Sequence, residues 1–409
     1  MSATSSTANA AVLARLLAAI ERELPHAVEL RHRLHARPEL AHAEHETAAA
    51  IAAALPVACE TAAGTGRLAR VGPSGGRPVA VRAELDGLPI GERTGAPFSA
   101  DAGAGAMHAC GHDVHMAALV ALVRAAHTLA EESPSPSLPA PLPAPLLAVF
   151  QPSEEAYPSG AQQLLEPLRA HAPVAIVAAH VHPELPWGSL ALDAGPVNAS
   201  CDAFELVLAG EPAHGAYPHR GRDPILALAQ VVLALHAQFG RRIDPLHPAT
   251  LTVGVLEAGS AENVIPAQAR ARGALRAYRP EDRRALRALV EEVTAGVAAA
   301  HGCSASIELT PGEPALANDP GIVARTRELL GAAELALAPE WRSCGSDDFA
   351  FFSALNANMN TPIAMGFLGL HGAEGFAPRP LHHPELLVPD AAVGALARAQ
   401  AALYLAAAG

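Results

Sequence analysis

The 409-residue sequence predicts an α/β fold with a mostly parallel sheet and an inserted α+β domain. Three observations carry that reading. Short apolar runs alternate with helix-period segments over residues 1–195 and again over 313–409, the pattern of strands buried on both faces. Residues 196–312 change character, to alternating strands and two long amphipathic helices, the content of a compact inserted unit. Half of the residues are hydrophobic, ample for two cores of ordinary domain size.

The elements follow in order. Leu13, Leu16, Leu17, Ile20 and Leu24 have helical spacing within residues 11–35, and a second short helix is predicted over 44–55. Strand-like runs at 67–72 and 77–85 are bounded by Gly and Pro. A helix over 115–129 has Asp113 ahead of it as a candidate N-cap. Six prolines in residues 133–145 exclude helix and interior strand, so an extended surface loop is expected. Residues 146–151 and 173–181 are apolar strands. In the insertion, strands are expected at 204–210, 249–259, 269–278 and 303–312, with helices at 223–239 and 280–301. The run FELVLAG at 204–210 is a candidate edge strand for pairing across a dimer.

Composition excludes several functions. All 28 basic residues are Arg, which removes lysine Schiff-base chemistry and any Walker-type phosphate loop. A net charge of -13 with no basic run argues against nucleic acid or an anionic membrane as partner. Five scattered Cys make no disulfide framework. The N-terminus lacks a signal-peptide pattern, and no window offers about 18 uncharged apolar residues, so a cytoplasmic protein is expected.

The 20 His are the unexplained feature. HACGHDVH (108–115) crowds three of them with Cys110 and Asp113 ahead of a helix. Thiolate and imidazole suit borderline-soft divalent metals. Cys110 and His112, two apart, cannot share a helix face, so both would serve from a turn that Gly111 permits. A lone CxH is more often a buried thiol beside an ordinary His. FQPSEE (150–155) places Glu154 and Glu155 just past an apolar strand, where α/β folds carry ligands. One carboxylate could bind metal while the other moves protons, although solvated Glu pairs in loops are common. His180 and His182 follow another apolar run, and LHHP (381–384) supplies His382 and His383. The sum of Cys, His and Glu at these ends suits a two-metal site.

With AHGAYPH (213–219), NVIP (263–266) and GSDDFAFF (345–352), these motifs stand in the order of one family. From RHRLHARPEL (31–40) to LHHP, the chain resembles the amidohydrolase branch of the aminoacylase and carboxypeptidase metallopeptidases, which includes hippurate hydrolase and the plant auxin-conjugate hydrolases. The resemblance implies a catalytic domain over 1–195 and 313–409, and a lid and dimerisation domain over 196–312. It implies two divalent ions per subunit, Zn or Mn with Co or Ni as alternatives, ligated by Cys110, His112, Glu155, His180 and His382. Glu154 falls on the general base and His214 on the lid residue that steadies the oxyanion. Asn263 and Arg276 fall on substrate-holding positions, Arg276 facing an α-carboxylate. His182 and His383 are the alternatives beside two of the ligands. The implied reaction hydrolyses N-acyl amino acids, with a metal-activated water whose proton Glu154 passes to the leaving amine. A dipeptidase or carboxypeptidase, or a non-catalytic metal- or ligand-binding relative, is the alternative. Departures from the family pattern are Glu84 and Asp347, where Asp and Glu are usual, the Pro-rich insertion, and a shortened stretch after LHHP.

Overall fold

The computed structural model describes residues 3–101, 103–132, 142–355 and 361–409. The chain divides into two compact units. One comprises Met1–Gly195, Ala317–Trp341 and Phe351–Gly409, the other Pro196–Leu316 and Arg342–Ala350.

The first unit is built on an eight-stranded mixed sheet. Its strands are β1 (Glu60–Ala62), β2 (Gly66–Val71), β3 (Val79–Glu84), β4 (Leu146–Gln151), β5 (Ala175–Pro186), β6 (Ser189–Ala191), Ala336–Leu337 and Ile363–His371. The order is β1-β2-β4-β3-β5, then Ile363–His371, β6 and Ala336–Leu337, and β4, β3, β5 and Ile363–His371 run parallel. Every residue of β3 and β4 is buried, as expected for near-continuous apolar runs in a parallel sheet. Helices α1 (Ala3–Ala36), α2 (His45–Ala54), α3 (His112–Glu131), α4 (Gly160–His171), Pro320–Leu329 and Ala391–Ala408 complete the unit. Leu13, Leu16 and Ile20 of α1, at helical spacing, join the same core as Leu119 of α3 and Leu396.

Several expectations are corrected. Helix α3 starts at His112, with Gly111 as its N-cap, and Asp113 sits in its first turn. Asp113 is not free to cap, because its Oδ2 accepts from Arg31 Nε at 3.0 Å and bonds His35 Nδ1 at 2.9 Å. Strand β5 runs on through His180 and His182, which therefore lie two apart on one face of a strand rather than beyond its end. Of the Pro-rich stretch, 133–141 lie outside the described residues; the remainder is not all surface, since Leu142 is buried and Ala144 O accepts from Tyr404 Oη. Among the described residues two helices, α3 and Ala391–Ala408, are long and apolar enough to cross a membrane when one or two charges are allowed. Both are core helices, with 78% and 83% of those windows buried inside the protein.

The second unit is a four-stranded antiparallel sheet in the order Ala249–Ala258, Gln268–Ala277, Ser200–Ala209, Ser304–Pro311. Helices Pro224–Arg242 and Pro280–Ala300 bury Leu228, Val231, Leu235, Leu286, Leu289 and Val290 against Phe204, Leu206 and Leu208. Asp223 caps the first helix by accepting from Ile225 N at 2.9 Å, with Pro224 at the first helical position. FELVLAG is an interior strand, bonded on both sides, so it has no free edge to offer a partner. Residues 342–350, expected with the C-terminal part of the catalytic domain, belong to this unit. Ala199 N donates to Gly345 O at 3.0 Å, and Tyr278 Oη donates to Ser343 O at 2.6 Å.

Candidate metal centre

The turn before α3 is made by Gly111, at φ 88°. A Cβ there would stand 2.5 Å from Val181 Cγ2, so only glycine lets β5 pass this closely. The turn presents Cys110 from the loop and His112 from the first helical residue. His112 Nδ1 donates to Asp86 O at 2.8 Å. That leaves Nε2 as the ring nitrogen directed elsewhere, and it is buried without a hydrogen-bond partner. The carboxylate of Asp86 accepts from Glu155 N at 2.9 Å. Asp86 thus ties together two segments far apart in sequence. Burial pushes Asp86 toward the neutral form, but His112 and the backbone N–H groups of Glu155 and Glu154 outweigh it and lower its pKa. Burial likewise opposes a charge on His112, yet Asp86, Glu84 and Glu155 raise its pKa to about 10.

Glu154 and Glu155 follow β4 through a sharp turn at Ser153, at φ 51°. Glu44 holds that strained turn. Its Oε1 accepts from Ser153 N at 2.7 Å, and its Oε2 accepts from Thr65 Oγ1 at 2.7 Å. Ser153 Oγ also accepts from His42 N at 2.8 Å. The turn leaves Glu155 Oε1 buried without a hydrogen bond, 3.3 Å from His382 Nε2. His382 is itself at φ 66°, pinned by its N donating to Ala109 O at 2.8 Å. His180 reaches in from β5, its Nε2 3.4 Å from Cys110 Sγ and its Nδ1 donating to Val181 O at 2.7 Å.

Donor atoms of Cys110, Glu155 and His382 lie within 4.8 Å of one another, as do those of His112, Glu154 and Glu155. The five expected ligands and the expected base therefore converge. The alternatives do not join these groups: His182 packs on Trp341, ring centroids 4.6 Å apart, and His383 Nδ1 accepts from Glu385 N at 3.1 Å. One cysteine sulfur, three imidazole nitrogens and carboxylate oxygens, two of these atoms buried without a hydrogen bond, fit divalent metal ions. Asp86, Glu44 and Ser153 escaped the sequence reading. The available signal for Asp86 was its place in RAELDGLP, where only Glu84 drew attention.

The remaining candidates are on the second unit. His214 and Asn263 are brought together by a two-stranded ribbon, Ala213–His214 with Val264–Ile265, which sequence periodicity did not reveal. Gly215 N donates to Asn263 O at 2.7 Å. Ala216 N donates to His214 Nδ1 at 3.0 Å, so the neutral ring carries its proton on Nε2, and the side chain is exposed. Arg276, on the Gln268–Ala277 strand, donates from Nη1 to Cys344 O at 2.9 Å.

Residues 80–404 match the model of peptidase family M20/M25/M40. The chain is 34% identical to an N-acetyl-L-cysteine deacetylase of Bacillus subtilis, over 92% of this chain and 86% of that protein. It is 33% identical to an N-acetyldiaminopimelate deacetylase of Geobacillus thermodenitrificans, over 78% of this chain and 79% of that protein. The crystal structure of a Bacillus subtilis protein described as a dinuclear metal-binding peptidase of family M20 superposes with a TM-score of 0.78 at 27% identity, covering 94% of this chain and 98% of that one. With the donor cluster in place and the match extending over most of the chain, the protein belongs to peptidase family M20/M25/M40 and is an amidohydrolase of that family.

Proposed function

We propose that the enzyme hydrolyses the amide bond of N-acyl amino acids, releasing a carboxylic acid and the free amino acid, with N-acetyl amino acids as the leading substrate class. One observation carries this reading: five soft and hard donors converge, with a second carboxylate, Glu154, within 4.8 Å of the donor atoms of His112 and Glu155. The deacetylase activities named for relatives at 33–34% identity support the acyl preference. Hippurate-like aromatic acyl groups are the second class to test.

In this reading Cys110, His112, Glu155, His180 and His382 hold two divalent ions, Zn or Mn first among the candidates. Such ions acidify a water and polarise the amide carbonyl. Asp86 keeps the His112 ring turned so that Nε2 is the ligating nitrogen. Glu154 accepts the water proton and returns it to the departing amine, which must leave as a neutral group. His214, with its proton on Nε2, is a hydrogen-bond donor suited to the developing oxyanion. Arg276 is the cation assigned to the substrate α-carboxylate.

The deciding experiment strips the protein with a chelator, reloads it with Zn, Mn, Co or Ni, and assays N-acetyl, N-benzoyl and free-amine dipeptide substrates. The proposal expects activity to vanish on stripping, return on reloading, and favour N-acyl over free-amine substrates. Turnover of dipeptides alone would make it a peptidase, and no turnover with any loaded metal would remove the enzyme mechanism.

A further inference from the structure

Beside the centre lies a second buried cluster. Donor atoms of Glu84, His112, His115 and His180 lie within 4.8 Å of one another, and all four residues are buried. Taken as a list of ligands this suggests another metal ion, but the hydrogen bonds give it a different meaning. Parallel pairing of β3 with β5 ends at Arg82↔Ala178, while β3 continues alongside β4 to Glu84↔Gln151. Past Ala178, β5 has no β3 neighbour to take its backbone donors. His115, one turn into α3, occupies that place: Val181 N donates to His115 Nε2 at 3.1 Å. A backbone N–H can only donate, so Nε2 is the acceptor and Nδ1 carries the proton. Nδ1 lies 2.8 Å from Glu84 Oε2, which accepts it. Arg82 Nη1 bonds the other Glu84 oxygen, and Arg82 Nε donates to Gln151 Oε1 at 2.9 Å. Both His115 nitrogens are thereby used, so His115 is no ligand.

The same peptide segment governs His180. Val181 O accepts from His180 Nδ1 at 2.7 Å, which directs His180 Nε2 to the Cys110 side, 3.4 Å from Sγ. Val181 is thus gripped at its N–H by His115, while its C=O fixes the ring of the adjacent residue. We propose that Glu84 and His115 are positioning residues, which set the tautomer and ring angle of His180 through the Val181 backbone. Glu84, the departure noted in the sequence, spans Arg82 and His115 with its two oxygens.

The inference rests on the reading of His180 as a ligand, and the test separates the two. The full-length chain and the variants His115→Phe, His115→Gln, Glu84→Gln and His180→Ala are titrated with Co(II) and Zn(II) against a competing chelator. The visible spectrum of the cobalt forms, including the thiolate band of Cys110, is recorded alongside. His115→Phe is expected to weaken one of the two ions by about 10–100-fold and to shift the cobalt spectrum. His115→Gln, which keeps one donor and one acceptor, recovers part of the loss, and Glu84→Gln gives a smaller shift in the same direction. In steady-state assays the variants lose kcat with little change in KM. Should His115→Phe fail to fold, the Gln variants decide. An affinity and spectrum unchanged in every folded His115 and Glu84 variant, with His180→Ala losing an ion, overturns the positioning role alone. If His180→Ala also keeps both ions and the wild-type spectrum, the ligand assignment falls first.

Discussion

The candidate side chains on the two units are held in opposite ways. On the first unit the rings of His112 and His180 are buried and each is oriented by a hydrogen bond to a backbone carbonyl, Glu155 is mostly buried with its N–H on Asp86, and His382 is the exposed member, held through its backbone N–H. On the second unit His214 and Asn263 are exposed, and the contacts that place them are backbone bonds of a short ribbon. Burial with Nδ1 bonded to a carbonyl leaves Nε2 of His112 and of His180 as the nitrogen directed at the donor cluster, as a metal centre requires. Exposure with one ring nitrogen occupied leaves a single donor, as a group meeting a variable substrate requires. The contrast predicts that changes on the first unit act on metal binding and kcat, and changes on the second act on substrate.

The largest effect is expected at Glu154. Glu154→Gln keeps size and polarity but removes the proposed base, so kcat is expected to fall by about 10²–10⁴ while metal content, measured by elemental analysis, stays at the wild-type value. Loss of metal together with activity would make Glu154 a ligand instead.

Asp86→Ala comes next. It removes the carboxylate that receives Glu155 N and flanks His112, and about 10–100-fold in metal affinity should go with it. Chelator competition reads this directly, and an unchanged affinity would mean that the Asp86 backbone carbonyl alone suffices to orient His112.

The Asp86 case also marks how far sequence carries. Cys110, His112, Glu154 and Glu155 are legible because their chemistry is concentrated within a few residues at the ends of apolar runs. His180 and His382 needed the family resemblance to be chosen over His182 and His383; it is the first pair whose ring nitrogens lie beside Cys110 and Glu155. The hydrogen bonds that orient these side chains are not legible, because they join distant segments: Asp86 to Glu155, Glu44 to Ser153, His115 to Val181. No local periodicity records such a pairing. The strand content of the insertion was legible from alternation, but its order was not, and so FELVLAG looked like an edge while lying between two neighbours. Likewise nothing local in 342–350 announces that Arg276 and Tyr278 will anchor it.

Arg276→Ala tests the other side of the contrast. If Arg276 meets the substrate carboxylate as proposed, its loss raises KM by roughly tenfold or more, and only for substrates with a free α-carboxylate. Matched methyl esters serve as the control. Equal losses on acid and ester, or a fall in kcat as steep as that of Glu154→Gln, would show that the second unit's contacts with 342–350 matter more than recognition.

The smallest effect concerns the shell behind the metal centre. His35 is buried between two carboxylates, with Nδ1 2.9 Å from Asp113 and Nε2 3.1 Å from Glu92. Burial alone lowers its pKa, but the two acids outweigh burial and lift it from 6.5 to about 9. Because the folded value lies above the unfolded one, this stabilisation is complete below about pH 6.5 and is lost as pH rises through about 9. Between pH 7 and 9 the change amounts to at most about 2 kcal/mol. His35→Gln cannot take up the proton, so the Tm difference between wild type and variant should be widest near pH 6 and narrow toward pH 9. A difference that stays constant over that range would assign His35 a packing role only. Because Asp113 also accepts from Arg31 Nε, Asp113 keeps a partner in the variant, and the first turn of α3 that carries His112 should hold its place. Metal affinity at pH 7 should then be nearly unchanged in His35→Gln, which separates the shell that stabilises this centre from the groups that ligate.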